Sequence, residues 1–204
     1  RDEAGRIEGT VRRLLDAAHG QGIRVLLDLT MTHVHRDFEP FRDVRARGPA
    51  SPWWDWFECH RFPFAEGMDP GYRHYQKKQW EEPLLRLEHA GVADHLVSVF
   101  EHWTRAGADG FRLDAACDVP ADLVGRISDS VRAIRPDAVL LGEVIAENQY
   151  RWVSGLHSPG RLDTATDFLV QEATYDWLWR RSTRAADVAD RLVLQDLRRG
   201  APTW

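Results

Sequence analysis

The sequence predicts an α/β protein built on a parallel sheet. Apolar runs typical of buried strands alternate with amphipathic helical segments along the chain. The last three predicted strands begin about 28 residues apart, near 110, 138 and 166, which is a common βα repeat length. A doubly wound sheet and a (β/α)8 barrel both fit this pattern. A complete barrel usually needs about 250 residues, so four strands in 204 residues can form only part of one.

A helix over 10–19 and a strand over 23–29 are the first predicted elements. The apolar residues of the helix recur at i, i+3, i+4 and i+7, namely Val11, Leu14, Leu15 and Ala18. The run 23–29 follows two glycines, is mostly apolar and is β-branched at its start. This composition predicts a parallel strand that is buried on both faces.

Residues 36–85 interrupt the alternation. They are rich in Pro, Trp, Arg and Glu and show no sustained periodicity. We therefore interpret them as an insertion that separates residues 1–35 from residues 86–204 of one α/β unit. The clustered Trp53, Trp54 and Trp56 fit either core packing or stacking on a sugar or a base, and packing is favoured most for Trp56.

The α/β pattern resumes after the insertion. The predicted elements are a helix from Val92, a strand over 110–115, a helix over 121–134, a strand over 138–144, a weaker strand over 166–171 and a helical region over 172–198 that breaks near Ser182.

The composition excludes several classes of protein. Apolar residues make up 43% of the chain, charged residues 29%, and the net charge is -5, which does not suit a nucleic-acid-binding protein. No apolar run approaches the roughly 20 residues of a membrane span. Cys59 and Cys117 form no C-x-x-C pattern, which fits a reduced compartment. Because the first residue is Arg1 and no signal peptide is recognisable, we expect a cytoplasmic fragment of a longer protein, whose oligomeric state stays open.

Polar residues lie at or near the carboxyl ends of the predicted strands. Functional sites of parallel α/β folds occur at these ends. His33 follows the first strand, and Arg112 and Asp114 lie two apart in the second. Side chains two apart share a face of a strand, so Arg112 would keep Asp114 ionised, as a nucleophile requires.

Glu143 closes the third strand, next to Leu141 and Val144. We expect an apolar setting there, which favours the protonated form of a carboxyl and suits a proton donor. Two carboxyls in unlike settings on adjacent strands match a retaining glycosidase, in which they lie about 5 Å apart. A buried network of Arg112, Asp114 and Glu143 with a purely structural role is the alternative.

His33 and His35 form an H-x-H pair, a common start of a metal site. A metal-dependent hydrolase of the amidohydrolase type would need further histidines at later strand ends. Those strand ends carry Asp114 and Glu143 instead, so the sequence favours no metal site.

Three segments resemble the α-amylase superfamily, glycoside hydrolase family 13. "GADGFRLDAA" is similar to its G-F-R-x-D segment, "LLGEV" to its acid/base strand and "LLDLTMTH" to its D-x-V-x-N-H strand. The resemblance implies that the chain spans about strands 3 to 6 of a (β/α)8 barrel, with 36–85 as domain B, the insertion after strand 3 that walls the substrate cleft. It also implies an α-glucan, maltooligosaccharide or cyclodextrin as the substrate.

The resemblance implies a role for each matching residue. Asp114 matches the nucleophile that forms a glycosyl-enzyme, and Glu143 matches the general acid/base. Arg112 matches the arginine that orients the nucleophile, and His33 matches the histidine that contacts the sugar before the scissile bond. Asp28 matches a structural aspartate.

A narrower resemblance is to neopullulanases and cyclomaltodextrinases. "LLRLE" stands where that group has M-P-K-L-N, and "DAACDV" stands where it has D-V-A-N-E-V, so Asp118 takes the place of a substrate-binding glutamate. Thr32 replaces an asparagine that holds calcium in many relatives, so calcium is disfavoured.

The family's third acid lies in an H-D pair, and no histidine of this chain precedes an aspartate. We therefore expect the 204 residues alone to be inactive. A transglycosylase of the same family uses the same two carboxyls, and a non-catalytic barrel relative would explain the missing acid, so both remain alternatives.

Overall fold

Four parallel strands form one sheet in the computed structural model, which describes residues 2–75, 80–145 and 161–199. In spatial order they are β1 (Leu26–Leu29), β2 (Gly110–Leu113), β3 (Val139–Gly142) and β4 (Thr164–Ala165). The predicted α/β class with a parallel sheet is therefore confirmed. A Cβ atom at Gly110 would lie 2.0 Å from the carbonyl oxygen of Val139, so only glycine allows β2 and β3 this approach.

Helices connect and flank the strands. They are α1 (Asp2–His19), α2 (Glu39–Arg47), α3 (Ala90–Arg105), α4 (Ala121–Ile134), α5 (Phe168–Tyr175) and α6 (Ala185–Arg199), and a π-helical turn (Asp176–Arg180) continues α5. Between that turn and α6 the helical region breaks, close to the predicted Ser182. No helix in the described part of the chain is long and apolar enough to cross a membrane.

The core lies between the sheet and the helices α3 and α4. The helix faces predicted from the apolar spacing are the buried ones, since Phe100 and Ile127 are at most 1% exposed. Phe100 packs edge-on against Phe111 of β2 at 4.9 Å between ring centroids. Phe111 and Leu140 are paired neighbours on β2 and β3 and are both fully buried. The other face of the sheet carries Arg112 and is only partly covered.

The insertion packs into the same core. Its aromatic residues Phe41, Phe57 and Tyr72 are at most 3% exposed, and Phe41 contacts the other two edge-on at 4.8 Å between ring centroids. Trp53, Trp54 and Trp56 are partly buried against this core. This agrees with packing for Trp56, and stacking on a ligand stays open for the partly buried Trp53 and Trp54. The boundaries 1–35, 36–85 and 86–204 stay a prediction, and residues 76–79 of the insertion lie outside the described part.

Two predictions about strands are wrong. Most of the segment 166–171 belongs to helix α5, because the Asp167 side chain accepts a hydrogen bond from the amide of Val170 and caps that helix, while the strand lies earlier, at Thr164–Ala165. The first strand is not buried on both faces. The face that carries Leu26 and Asp28 is exposed, and Leu26 is 39% exposed.

A buried carboxylate ties the amino ends of the first two strands together. Asp109, just before β2, is 2% exposed and accepts hydrogen bonds from the amide of Val25 and from His19, each at 2.7 Å. Arg135, just after α4, forms an ion pair with the same carboxylate. Burial by itself would raise the pKa of Asp109, but these three partners outweigh it and lower the pKa.

Candidate active site

Arg112 joins three carboxylates at the carboxyl end of the sheet. Its Nη1 donates to both oxygens of Asp28, at 2.7 and 2.8 Å, and to Oδ1 of Asp114 at 3.0 Å. Its Nη2 lies 2.9 Å from Oε1 of Glu143. The predicted pairing of Arg112 with Asp114 is thus present, and one guanidinium holds both candidate catalytic carboxylates in place.

The parallel pairing of the strands aims these side chains at one another. Asp28 lies directly opposite Arg112 on the neighbouring strand. The pairing pattern continues past the strand ends, since the amide of Asp114 donates to the carbonyl of Leu29 and the amide of Glu143 donates to the carbonyl of Leu113. Because side chains alternate along a strand, the four charged groups share the face that α3 and α4 do not cover.

A backbone turn after β2 also contacts Glu143. Ala115 has φ 45° and ψ 42°, in the left-handed region that residues other than glycine rarely adopt. In this conformation its amide donates to Oε2 of Glu143 at 3.1 Å. Left-handed alanine is strained, and such strain concentrates at functional sites. The two oxygens of Glu143 therefore have different partners, a guanidinium and a backbone amide.

The electrostatic setting of Glu143 differs from the expected one. The apolar surroundings predicted from Leu141 and Val144 are wrong, because the guanidinium of Arg112 contacts the Glu143 carboxylate. The hydrogen bond to Asp28, followed by the one to Asp114, raises the pKa of the Arg112 guanidinium, and Glu143 adds to this effect. The cation is permanent and balances part of the charge of the three acids.

His33 lies where the insertion leaves the sheet. Its Nδ1 is 2.9 Å from the hydroxyl of Thr32, and its ring stacks on Tyr75 at 4.1 Å between centroids. Its Nε2 is 3.9 Å from Oε2 of Glu82. Within the described residues, no hydrogen bond or ion pair links His33 to the Arg112 group.

The two histidines of the H-x-H pair differ in their surroundings. The His33 side chain is 16% exposed, whereas that of His35 is 60% exposed and lies 3.5 Å from Asp37. Across the described ranges, no group of three or more His, Cys, Asp or Glu side chains has the arrangement of a metal site.

Asp118 lies apart from the charged group. It ends the short 3-10 helix Ala116–Asp118, is exposed, and accepts a weak hydrogen bond from the thiol of Cys117 at 3.8 Å. In the part of the chain that the structure describes, no contact joins it to Arg112.

Sequence reasoning did not anticipate Tyr75 and Glu82 as neighbours of His33. Both belong to the insertion, where antiparallel bridges pair His33 with Leu84 and His74 with Pro83. The only sign in the sequence was the aromatic Tyr75 beside a histidine in "RHY". Hydrophobic periodicity describes a single segment, so it could not have shown that Tyr75 contacts His33, 42 positions earlier.

A parallel β/α sheet with charged side chains at the carboxyl ends of its strands is the arrangement of the (β/α)-barrel class, in which functional sites lie at that end of the barrel. Residues 5–190 match the model of the α-amylase catalytic domain. The chain belongs to the α-amylase family, and the predicted resemblance is confirmed.

Individual relatives agree with the narrower resemblance. The chain is 38% identical over 149 residues to a cyclomaltodextrinase of Bacillus sp., an alignment that covers 72% of this chain and 26% of the relative. It is 32% identical over 164 residues to neopullulanase 2 of Thermoactinomyces vulgaris, covering 80% of this chain and 27% of the relative. The chain therefore spans about a quarter of the length of these two curated relatives.

A solved structure supports the barrel architecture. The cyclic α-maltosyl-(1→6)-maltose hydrolase of Arthrobacter globiformis superposes with a TM-score of 0.86, over 95% of this chain and 42% of that chain. At 20% identity this likeness shows the fold alone. It confirms the predicted fold, part of a (β/α)8 barrel.

Proposed function

We propose that the natural protein containing this chain is a retaining glycosidase that cleaves α-glucans or maltooligosaccharides, including cyclodextrins. The observation that carries the proposal is the contact of one guanidinium, that of Arg112, with the carboxylates of both Asp114 and Glu143. Relatives named cyclomaltodextrinase and neopullulanase support this class of substrate.

In this proposal Asp114 attacks the anomeric carbon and forms a covalent glycosyl-enzyme. Arg112 suits that role because its hydrogen bond orients one oxygen of Asp114 and leaves the second oxygen to attack. Asp28, on β1, lies opposite Arg112 and accepts a hydrogen bond from its guanidinium, which helps to fix the position of the arginine.

Glu143 protonates the departing glycosidic oxygen and then deprotonates the water that hydrolyses the intermediate. Before substrate binds, its oxygens contact Arg112 and the Ala115 amide. His33 contacts the sugar, and exposed Asp118 serves the acceptor side.

The proposal needs no metal ion, and we propose that activity persists after treatment with EDTA. It does need the full natural protein, since the family's third acid lies in an H-D segment that these 204 residues do not contain. The cytoplasmic location stays a prediction.

A trapping experiment tests the covalent step. The natural protein carrying Glu143→Gln would be incubated with α-maltosyl fluoride, whose leaving group needs no acid, and digested for mass spectrometry. We expect a maltosyl adduct on the peptide that contains Asp114, because the Glu143→Gln variant cannot activate water for its hydrolysis. An adduct on another carboxylate, or inversion at the anomeric carbon in the wild-type product, would contradict the proposal.

A further inference from the structure

Three side chains surround His33, and each contacts a different part of its ring. Thr32 lies at Nδ1, Tyr75 covers one face, and Glu82 lies beyond Nε2. Thr32 is only 5% exposed, so its hydroxyl is held in a fixed position inside the protein. We propose that Thr32, Tyr75 and Glu82 are positioning residues that hold His33 as its Nε2–H tautomer, ready to donate to a sugar oxygen. This proposal rests on the sugar-binding role proposed for His33.

The arrangement of acceptors favours that tautomer. If Nδ1 carried the proton, the unprotonated Nε2 would present its lone pair to the carboxylate of Glu82, which is unfavourable. If Nε2 carries the proton, the Thr32 hydroxyl donates to Nδ1 at 2.9 Å and the N–H points toward a negative group. The second arrangement satisfies both nitrogens.

The carboxylate of Glu82 is too far from His33 to accept a hydrogen bond from Nε2. The separation of 3.9 Å between Nε2 and Oε2 exceeds a hydrogen bond. Within the described residues His33 Nε2 has no hydrogen-bond acceptor, so the N–H is available to a ligand hydroxyl. The Glu82 carboxylate therefore attracts the N–H electrostatically but forms no hydrogen bond with it.

Tyr75 fixes the plane of the ring. The rings of Tyr75 and His33 are inclined by only 14°, so rotation of the imidazole out of this plane would break the stack. The backbone holds Tyr75 in place, since its amide donates to the carbonyl of Glu82. The insertion thereby controls the orientation of a side chain that emerges from the sheet.

Nitrogen NMR tests the tautomer without any substrate. The natural protein would be labelled with 15N-histidine, and a His33→Gln variant would identify the signals. At a pH where the ring is neutral, we expect a protonated Nε2 and an unprotonated Nδ1. Thr32→Val, which removes the hydroxyl at constant size, should mix the tautomers, and Thr32→Ser should restore the single one. A protonated Nδ1 in the wild-type protein, or no effect of Thr32→Val, would overturn the proposal.

Kinetics test whether Tyr75 acts through His33. Tyr75→Leu should lower kcat/KM on maltodextrins about tenfold, the worth of one hydrogen bond, while Tyr75→Phe keeps the stack and should stay near wild type. In a His33→Gln background the Tyr75→Leu effect should vanish. A full effect in that background would mean that Tyr75 is merely structural. If His33→Gln leaves kcat/KM unchanged, the proposed contact between His33 and the sugar is wrong. The NMR experiment still tests separately whether the neighbouring side chains fix the tautomer of His33.

Discussion

Nη2 of Arg112, on β2, lies 2.9 Å from Oε1 of Glu143, the residue that directly follows β3. The same guanidinium donates to Asp114 through its other terminal nitrogen. The proposed nucleophile and the proposed acid/base are therefore coupled through one cation, and a change at Arg112 acts on both.

Replacing Arg112 by lysine should lower kcat/KM of the natural protein on maltodextrins by at least about 100-fold. A lysine ammonium is a point charge and cannot span carboxylates on two sides as the planar guanidinium does. Steady-state kinetics would measure the loss. Arg126→Lys is the matched control, because Arg126 is 48% exposed and, among the residues that the structure describes, forms an ion pair with Asp94 alone. Activity of the Arg112→Lys protein within twofold of wild type would be incompatible with the coupling.

Replacing Asp114 by asparagine should lower kcat by more than about 1000-fold. The amide is nearly isosteric with the carboxylate but cannot attack the anomeric carbon. Asp118→Asn provides a contrast, since Asp118 is exposed and apart from Arg112, and its effect should stay below about tenfold. Circular dichroism would check that both variants fold. Near-normal turnover by Asp114→Asn would remove this residue from the reaction.

Replacing Asp109 by asparagine should lower the free energy of unfolding by about 3 kcal/mol at pH 7, because it leaves His19 and Arg135 without their buried partner. The pKa of Asp109 is lowered by folding. The contribution of Asp109 to stability is therefore complete above the pKa of Asp109 in the unfolded chain, which is about 4. It is lost as the pH falls through the lower pKa of Asp109 in the folded protein.

Urea unfolding at pH 7 and at lower pH would test this, and the difference between wild type and Asp109→Asn should shrink on acidification. Asp137→Asn is the control, because Asp137 pairs with the same Arg135 but is 68% exposed, and it should change stability by less than about 1 kcal/mol. A constant difference between pH 7 and pH 3 would rule out Asp109 titration as its source.

Cys59 should react slowly with iodoacetamide at pH 8. Burial raises the pKa of its thiol to about 12, so almost none of the reactive thiolate is present. A Cys117→Ser variant leaves Cys59 as the single thiol of these 204 residues. Mass spectrometry would follow alkylation of the peptide that contains Cys59, with and without guanidinium chloride. Alkylation at the same rate in the folded and the unfolded protein would show that Cys59 is not protected.

Local patterns were sufficient for much of the fold. The apolar spacing of α3 and α4 predicted the faces that are buried, because a helix at the surface of a sheet must turn one side inward. The same patterns misplaced β4, since the apolar residues after Asp167 suit either a strand or a helix and the cap decides between them.

The sequence by itself determined the family, the parallel α/β class and the strand ends at which Arg112, Asp114 and Glu143 occur. Motif spacing and hydrophobic periodicity are properties of single segments, so the family, the fold class and the strand ends can be inferred from them without tertiary contacts. Only the tertiary structure decided that Arg112 contacts Asp28, 84 positions away, that the cation rather than an apolar pocket lies against Glu143, and that Tyr75 stacks on His33. These contacts join distant segments, and their geometry is set by strand register and by the packing of the insertion, which no local pattern encodes.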